Sequence, residues 1–280
     1  MFGVRAIGLD LADLSHRCRA YAARMNANAA FSHSTAAALW GIPLPRAIGE
    51  DDLHVTVPVG YRAPGGHGIT GHQQRMLEAD AIARDGLRVV TPAVAWAQLG
   101  EMVSPEDLVA AGEFVITGLP LERLPPLSST EEIAAAHATR VGGPGSRRRT
   151  AALREIRAGA YSRPESLVRI LLARVGLPEP LINTDIVDGR GRFIATPDLQ
   201  WPEWRVALEY EGDHHREQTR FRRDIARIER LVDAGWVVVR VSASELYGNP
   251  RVIVNRVESR LRSRGWDGSI RLRRIAHFQP

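Results

Sequence analysis

The stretch T-P-D-L-Q-W-P-E-W-R-V-A-L-E-Y-E-G-D-H-H, Thr196 to His215, decides how the chain is read. It carries three carboxylates in strand-like surroundings, Asp198, Glu209 and Glu211, and ends on the adjacent His214 and His215. Arg205 to Glu211 is dense in strand formers. Side chains alternate along a strand, so Ala207, Glu209 and Glu211 share one face while Val206, Leu208 and Tyr210 take the other. Acids on a strand flanked by apolar residues are expensive, because an unpaired buried charge either costs several kcal/mol or keeps its proton. A bound dication removes that cost. Asp198 lies on the preceding strand, across a tight Trp201 to Trp204 connection, and is expected beside Glu209 on the same face. Asp198 and Glu209 therefore form a candidate hard-metal site.

The flanking elements follow in order. Ser162-Arg163-Pro164-Glu165 predicts a capping box opening a helix, whose apolar stripe Leu167, Ile170, Leu171 and Val175 ends at Gly176. Asp188-Gly189 predicts a hairpin turn between Leu181 to Val187 and Arg192 to Trp201. Beyond Gly212, Phe221, Ile225, Ile228 and Leu231 recur at helical spacing within Thr219 to Ala234, and Trp236 to Val241 reads as a buried strand. The order is helix, three strands, helix, strand. On the second helix Arg220, Arg223, Arg227 and Arg230 form a stripe opposite the apolar face. It serves either as a rail for phosphates or as partners for Asp224 and Glu229 within the helix.

These residues resemble the PD-(D/E)XK nuclease superfamily, and within it the branch similar to very-short-patch-repair endonucleases, over about Ser162 to Gly265. Pro197-Asp198 looks like the family's leading acid, Glu209 like its second, and Glu165 like the acid on its first helix. The resemblance implies an α/β (α+β) protein with a restriction-endonuclease-like α-β-β-β-α-β core. It also implies hydrolysis of DNA phosphodiester bonds with Mg²⁺ or Mn²⁺ held by Asp198 and Glu209, Glu165 aiding directly or through water. Glu211 stands where the family pattern places lysine. The short-patch-repair branch also lacks that lysine and uses histidines, so Glu211, His214 and His215 join the catalytic candidates. Either a second cation among the carboxylates or a histidine taking the proton replaces what lysine would supply. Each acid also has a structural reading: Glu165 as the third residue of a capping box, Asp198 and Glu209 as partners of arginines such as Arg205. The competing function is a catalytically degenerate nuclease fold acting as a DNA-binding or toxin-antitoxin-type regulator.

Upstream, Leu9 to Asn26 has a helical pattern with Arg17, Arg19 and Arg24 on its polar side. Phe31 to Gly41 supplies a serine cap, good helix formers and a terminating glycine. Leu53 to Val57 and Leu87 to Val90 read as strands, with a glycine-rich loop from Gly60 to Gly71. Thr91-Pro92 and Ser104-Pro105 each start a helix with a hydroxyl cap and proline in the first turn. Through S-H-S-T-A-A-A-L-W-G-I-P-L-P and L-R-V-V-T-P this half resembles the N-terminal region of AbiEi-type antitoxin-associated proteins, which implies DNA or partner-protein binding. His67 and His72, with His54 nearby, match no helical or finger-type spacing of metal ligands.

Composition places a smaller α/β domain at residues 1–118, a Pro-, Leu- and Ser-rich linker at 119–129, the nuclease-like domain at 130–265 and a basic tail at 266–280. Arg147, Arg148 and Arg149 follow a Gly142 to Gly145 break, as a solvated surface or as phosphate contacts. All 37 basic residues are arginine, and the net charge of +5 permits nucleic-acid binding without demanding it. One cysteine, Cys18, excludes an intramolecular disulfide and a cysteine-based zinc finger. Together with the lack of an apolar signal segment or spanning run, that leads to the expectation of a cytoplasmic protein off the membrane. No G-x-x-x-x-G-K-[ST], G-x-S-x-G or H-E-x-x-H occurs, which removes support for P-loop, serine-hydrolase and zinc-protease chemistry.

Overall fold

The structure, a computed structural model, describes residues 10–48, 52–119, 122, 124–211, 227–271, 275 and 278–280. The chain divides into two compact units, Met1–Ile156 and Arg157–Pro280, and each mixes helices with sheet. Among the described residues no helix is long and apolar enough to cross a membrane.

The first unit is built on β1 (Ala30–Phe31), β2 (Leu53–Pro58), β3 (Gly65–Gly66), β4 (Ile69–Gln74), β5 (Ala81–Arg84) and β6 (Leu87–Val90). They form one mixed sheet in the order β3-β4-β2-β1-β6-β5. Two of its helices are α1 (Leu14–Ala22) and α2 (His33–Trp40). Alternation buries Leu53, Val55 and Val57 on one side of β2 and turns His54 and Thr56 to the other. Helix α3 (Pro92–Leu99) is buried along its whole length. Its Thr91 cap accepts the Val94 N–H at 3.4 Å, and Ser104 caps α4 (Pro105–Thr117) by accepting the Asp107 N–H at 3.1 Å, both with proline in the first turn. A Cβ at Gly112 would lie 2.4 Å from Ile156 Cδ1 and 2.9 Å from Trp96 Nε1, so glycine is what lets α4 close on α3.

The division falls at Ile156, a correction to the linker expected at 119–129. Leu127 and Ser128 donate back to Val115 O at 2.9 and 3.2 Å, and α5 (Thr130–Ala138) and α6 (Ser146–Glu155) pack on α3 and α4. A segment with the composition of a linker is thus tied into the first unit by its backbone.

The second unit contains α7 (Arg163–Val175), β7 (Leu181–Ile182), β8 (Ile186–Val187), β9 (Phe193–Ala195), β10 (Leu199–Trp201), β11 (Val206–Glu211), helical residues 227–233 (α8), β12 (Val237–Ser242), α9 (Ala243–Gly248) and α10 (Pro250–Arg262). One sheet runs β12-β11-β10-β7, with β11 and β12 parallel and the other neighbours antiparallel. One face packs Leu199, Trp201, Val206, Leu208, Val239 and Val241 on α7, α9 and α10. The other meets a smaller cluster of Ile186, Ile194, Ala195 and Leu231.

The element order is the expected one, but each long strand expected before β11 is cut in two. Pro197 has no N–H to give to a ladder, and Asn183 stands at φ 44°. The Asn183 N–H donates to Asp198 O at 3.0 Å and pins the two breaks together. Within the stretch expected as a basic tail at 266–280, Phe278 is buried in the main core and the Arg271 N–H donates to Val175 O at 2.7 Å.

Candidate functional site

Register brings the acids of the second unit together. Leu199 pairs with Leu208 and Gln200 with Ala207, so one further step sets Asp198 opposite Glu209. Directly opposed residues of an antiparallel pair point to the same face. Leu199 and Leu208 face the main core, which turns Asp198 and Glu209 to the other side. Glu209 is 6% exposed and Asp198 half-buried, its Oδ2 accepting the Tyr210 N–H at 2.6 Å. Burial pushes the Asp198 carboxyl up to about 8, and the negative charges of Glu165 and Glu209 add to the rise against the opposing pull of the Tyr210 N–H and Arg227. The charges of both glutamates therefore bear on Asp198.

Glu165 reaches the same place from the first turn of α7. Ser162 caps the helix, its Oγ accepting the Glu165 N–H at 3.4 Å. The Glu165 carboxylate accepts the Tyr161 N–H at 2.9 Å, the Ser162 hydroxyl at 2.8 Å and the Asn183 amide at 2.8 Å. Its reach to Tyr161 extends the box one residue ahead of the cap. Nothing in the sequence pattern singles out Asn183, yet it ties Glu165, Gly159 O and Asp198 O into one frame. The one local signal is that asparagine tolerates a left-handed backbone.

The arginines divide. Arg227 donates to Glu209, so it turns to the acids and not away from the protein, a correction to the stripe expected of it. Leu231 is buried and Ile228 half-buried, as the helical spacing predicts, while Arg230 is exposed. Glu211 lies on β11 two residues beyond Glu209 and pairs with Arg240, which stands beside Glu209 in the parallel register. His214, His215, Arg220, Phe221, Arg223, Asp224 and Ile225 lie outside the described residues. In the first unit Arg147 and Arg148 are exposed, but Arg149 is 1% exposed. Its guanidinium donates to Ala97 O, Pro144 O and Arg140 O at 3.0, 2.7 and 2.7 Å. A cation committed to three internal carbonyls is a structural clamp, which removes Arg149 from the phosphate contacts.

The acid cluster offers oxygen donors alone, the set that suits Mg²⁺ or Mn²⁺, and a carboxyl whose pKa is raised by burial and by neighbouring negative charge, as at Asp198, is what a dication relieves. The residues present fit such an ion. Among the described residues no trio of carboxylates brings its oxygens within 4.8 Å of one another; the group that does so comprises His33, His54 and His72 in the first unit. His67 is exposed, and His33 completes the trio in its place.

Two curated proteins of Mycobacterium tuberculosis resemble the chain: uncharacterized protein MT2308 of strain CDC 1551 / Oshkosh and uncharacterized protein Rv2248 of strain ATCC 25618 / H37Rv. Each is 26% identical over 254 residues, covering 89% of this chain and 87% of the relative. That length exceeds either unit, so the similarity reaches into both. No family model matches the chain, and no solved structure matches it.

Proposed function

We propose that the second unit is a metal-dependent endonuclease domain of the restriction-endonuclease-like kind, hydrolysing phosphodiester bonds in DNA. The observation that carries this reading is the register that sets Asp198 opposite Glu209 on the face away from the main core, where burial and the charges of Glu165, at a helix cap, and Glu209 raise the Asp198 carboxyl, set within a helix, strands, helix, strand order. Asp198 and Glu209 would hold Mg²⁺ or Mn²⁺, which when bound lowers the pKa of water and offsets charge developing on the scissile phosphate. The chain's own groups do the positioning. The Tyr210 N–H fixes one oxygen of Asp198 and Asn183 fixes Glu165. Arg227, a member of the arginine stripe, offsets the charge of Glu209. At the position where the resemblance calls for lysine, Glu211 and Arg240 make a neutral pair. The proton of the attacking water then needs another acceptor, and His214 and His215 are the candidates from sequence.

The same ion pairs favour a second reading. Arg227 and Arg240 neutralise two of the acids from within, as a structural network would, which suits a nuclease fold that binds DNA without cutting it. Nicking of supercoiled plasmid separates the two. The first reading expects cleavage with Mg²⁺ or Mn²⁺, none with EDTA, and none by a folded Asp198→Asn variant. Retention of plasmid in a gel shift with no cleavage under any of these cations selects the second; neither binding nor cleavage removes both.

A further inference from the structure

The first unit holds a cluster of imidazoles that the acid site does not involve. The parallel register of β2 and β4 pairs His54 with Thr70 and Thr56 with His72, which puts both histidines on one face of the sheet. His33 opens α2 where the chain leaves β1, with the Ser32 N–H donating to His54 O at 2.9 Å. The His33 ring stacks on His72 with 3.7 Å between centroids, 5.7 Å from His54, and His54 and His72 are 5.1 Å apart. One ring nitrogen of each lies within 4.8 Å of the other two. His54 Nδ1 and His72 Nε2 are 2.9 Å apart and share a proton.

His33 departs from an ordinary core histidine in two ways. It is 0% exposed, and its Nε2 has no hydrogen-bond partner among the described residues, whereas Nδ1 meets Ser32 Oγ at 3.0 Å. Buried polar atoms are seldom left unsatisfied, and the exceptions mark an ion, a water or a functional role. Its backbone also stands at φ 50°, a region that residues with a Cβ avoid. Neighbouring groups hold it there: Gln98 Oε1 accepts the His33 N–H at 3.0 Å, and the Gln98 amide in turn donates to Gln74 Oε1 at 2.9 Å. Thr35 Oγ1 accepts the His54 N–H at 2.8 Å. Strain, a buried nitrogen without a partner and a supporting ring of polar groups all meet at one point.

We propose that His33, His54 and His72 form a binding site for a transition-metal dication of the zinc class. Neutral imidazole is a preferred ligand of such ions and a poor one for Mg²⁺ or Ca²⁺. A tetrahedral site with metal–nitrogen bonds of about 2.0–2.1 Å needs its nitrogens roughly 3.3 Å apart; here one nitrogen of each ring lies within 4.8 Å of the others, and His33 and His72 turn out of their stack to aim at a shared ion. Ligation uses His33 Nε2 together with His54 Nδ1 and His72 Nε2. The proton now shared by the last two moves to the far nitrogen of its ring, so all three rings stay neutral. The Ser32 hydroxyl on His33 Nδ1 fixes which nitrogen faces inward, the usual role of a group behind a metal-bound histidine. Three protein ligands leave a fourth position for water or a substrate oxygen.

The test uses the untagged full chain, stripped of metal and titrated with Co²⁺ in excess Mg²⁺. The expected result is an intense tetrahedral Co²⁺ visible spectrum that saturates at one equivalent and is displaced by Zn²⁺. Replacing half-buried His72 by Gln should remove that spectrum and weaken Co²⁺ binding by more than about 100-fold, beyond what loss of an outer partner costs. Asp198→Asn should leave it unchanged, which separates this site from the acids. X-ray absorption of the Zn²⁺-loaded wild type should show three imidazole ligands and needs no variant to fold. No Co²⁺ spectrum in the wild type, a spectrum that survives in folded His72→Gln, or an oxygen-only Zn²⁺ shell would overturn the proposal.

Discussion

Asp198→Asn should make the protein more stable at alkaline pH, an unusual outcome for the loss of a half-buried polar group. Asparagine keeps the shape of the side chain and an oxygen for the Tyr210 N–H, now 2.6 Å from Asp198 Oδ2, but it cannot ionise. An acid whose pKa is raised on folding binds its proton more tightly folded than unfolded. Stability from that proton is present below the ordinary value of 3.8 and is lost as pH climbs to about 8. Each pH unit in the window costs about 1.4 kcal/mol, a ceiling of roughly 5 to 6 kcal/mol. Because the residue is half-buried and three acids share the repulsion, the working figure is on the order of 2 kcal/mol. Urea unfolding in EDTA, followed by tryptophan fluorescence at about pH 5, 7 and 9, should give a variant-minus-wild-type difference that grows with pH and levels above about 8. Taking the difference cancels other titrating groups, including His33, His54 and His72, whose lowered values make stability rise with pH. Mg²⁺ at pH near 9 should then stabilise the wild type more than the variant. A difference that stays flat with pH would falsify the claim that burial and neighbouring charge raise the Asp198 carboxyl.

Arg227→Met removes the guanidinium that donates to the buried Glu209 and should destabilise the protein by roughly 2 kcal/mol in denaturant unfolding; a neutral effect would mean that the pair contributes nothing. Arg149→Met removes three charge-assisted bonds to carbonyls and should cost at least about 3 kcal/mol. Exposed Arg147→Glu should stay within about 0.5 kcal/mol of wild type, and equal effects at the two positions would refute the clamp. Asn183→Ala loses two side-chain hydrogen bonds and keeps a strained backbone, for a loss of about 2 kcal/mol, whereas Asn183→Gly should recover the backbone share. Matching thermal melts for those two variants would show that the left-handed backbone carries no cost.

Much of the fold was legible because its determinants are local. Thr91 and Ser104 cap helices where hydroxyl and proline stand together, Gly176 ends α7 with φ 94°, and the alternation through Val206 to Glu211 sorts core from site. Asp198 and Glu209 follow from the same local rule, since a short turn and a period of two leave one register that buries Leu199 against Leu208. What stayed hidden depends on distant partners. Arg147, Arg148 and Arg149 are equal in sequence, and the phase of α6 against α3 and α4 alone turns the third inward. The segment at 119–129 has the composition of a linker, and its backbone bonds to Val115 cannot be read from composition.

The histidine cluster marks the limit most sharply. His54 and His72 are 18 residues apart, on strands that meet in parallel, and parallel pairing depends on a crossover whose length fixes no register by itself. His33 comes from a third element and sits in what reads as an ordinary serine-capped helix start. Yet Ser32 Oγ meets His33 Nδ1 and makes no cap bond. A capping hydroxyl diverted to an imidazole, at a residue with a left-handed backbone, means that local helix stability at that point has yielded to the geometry of the cluster. That yielding is the physical reason the pattern of residues alone points to a helix end while the folded chain gathers three nitrogens there.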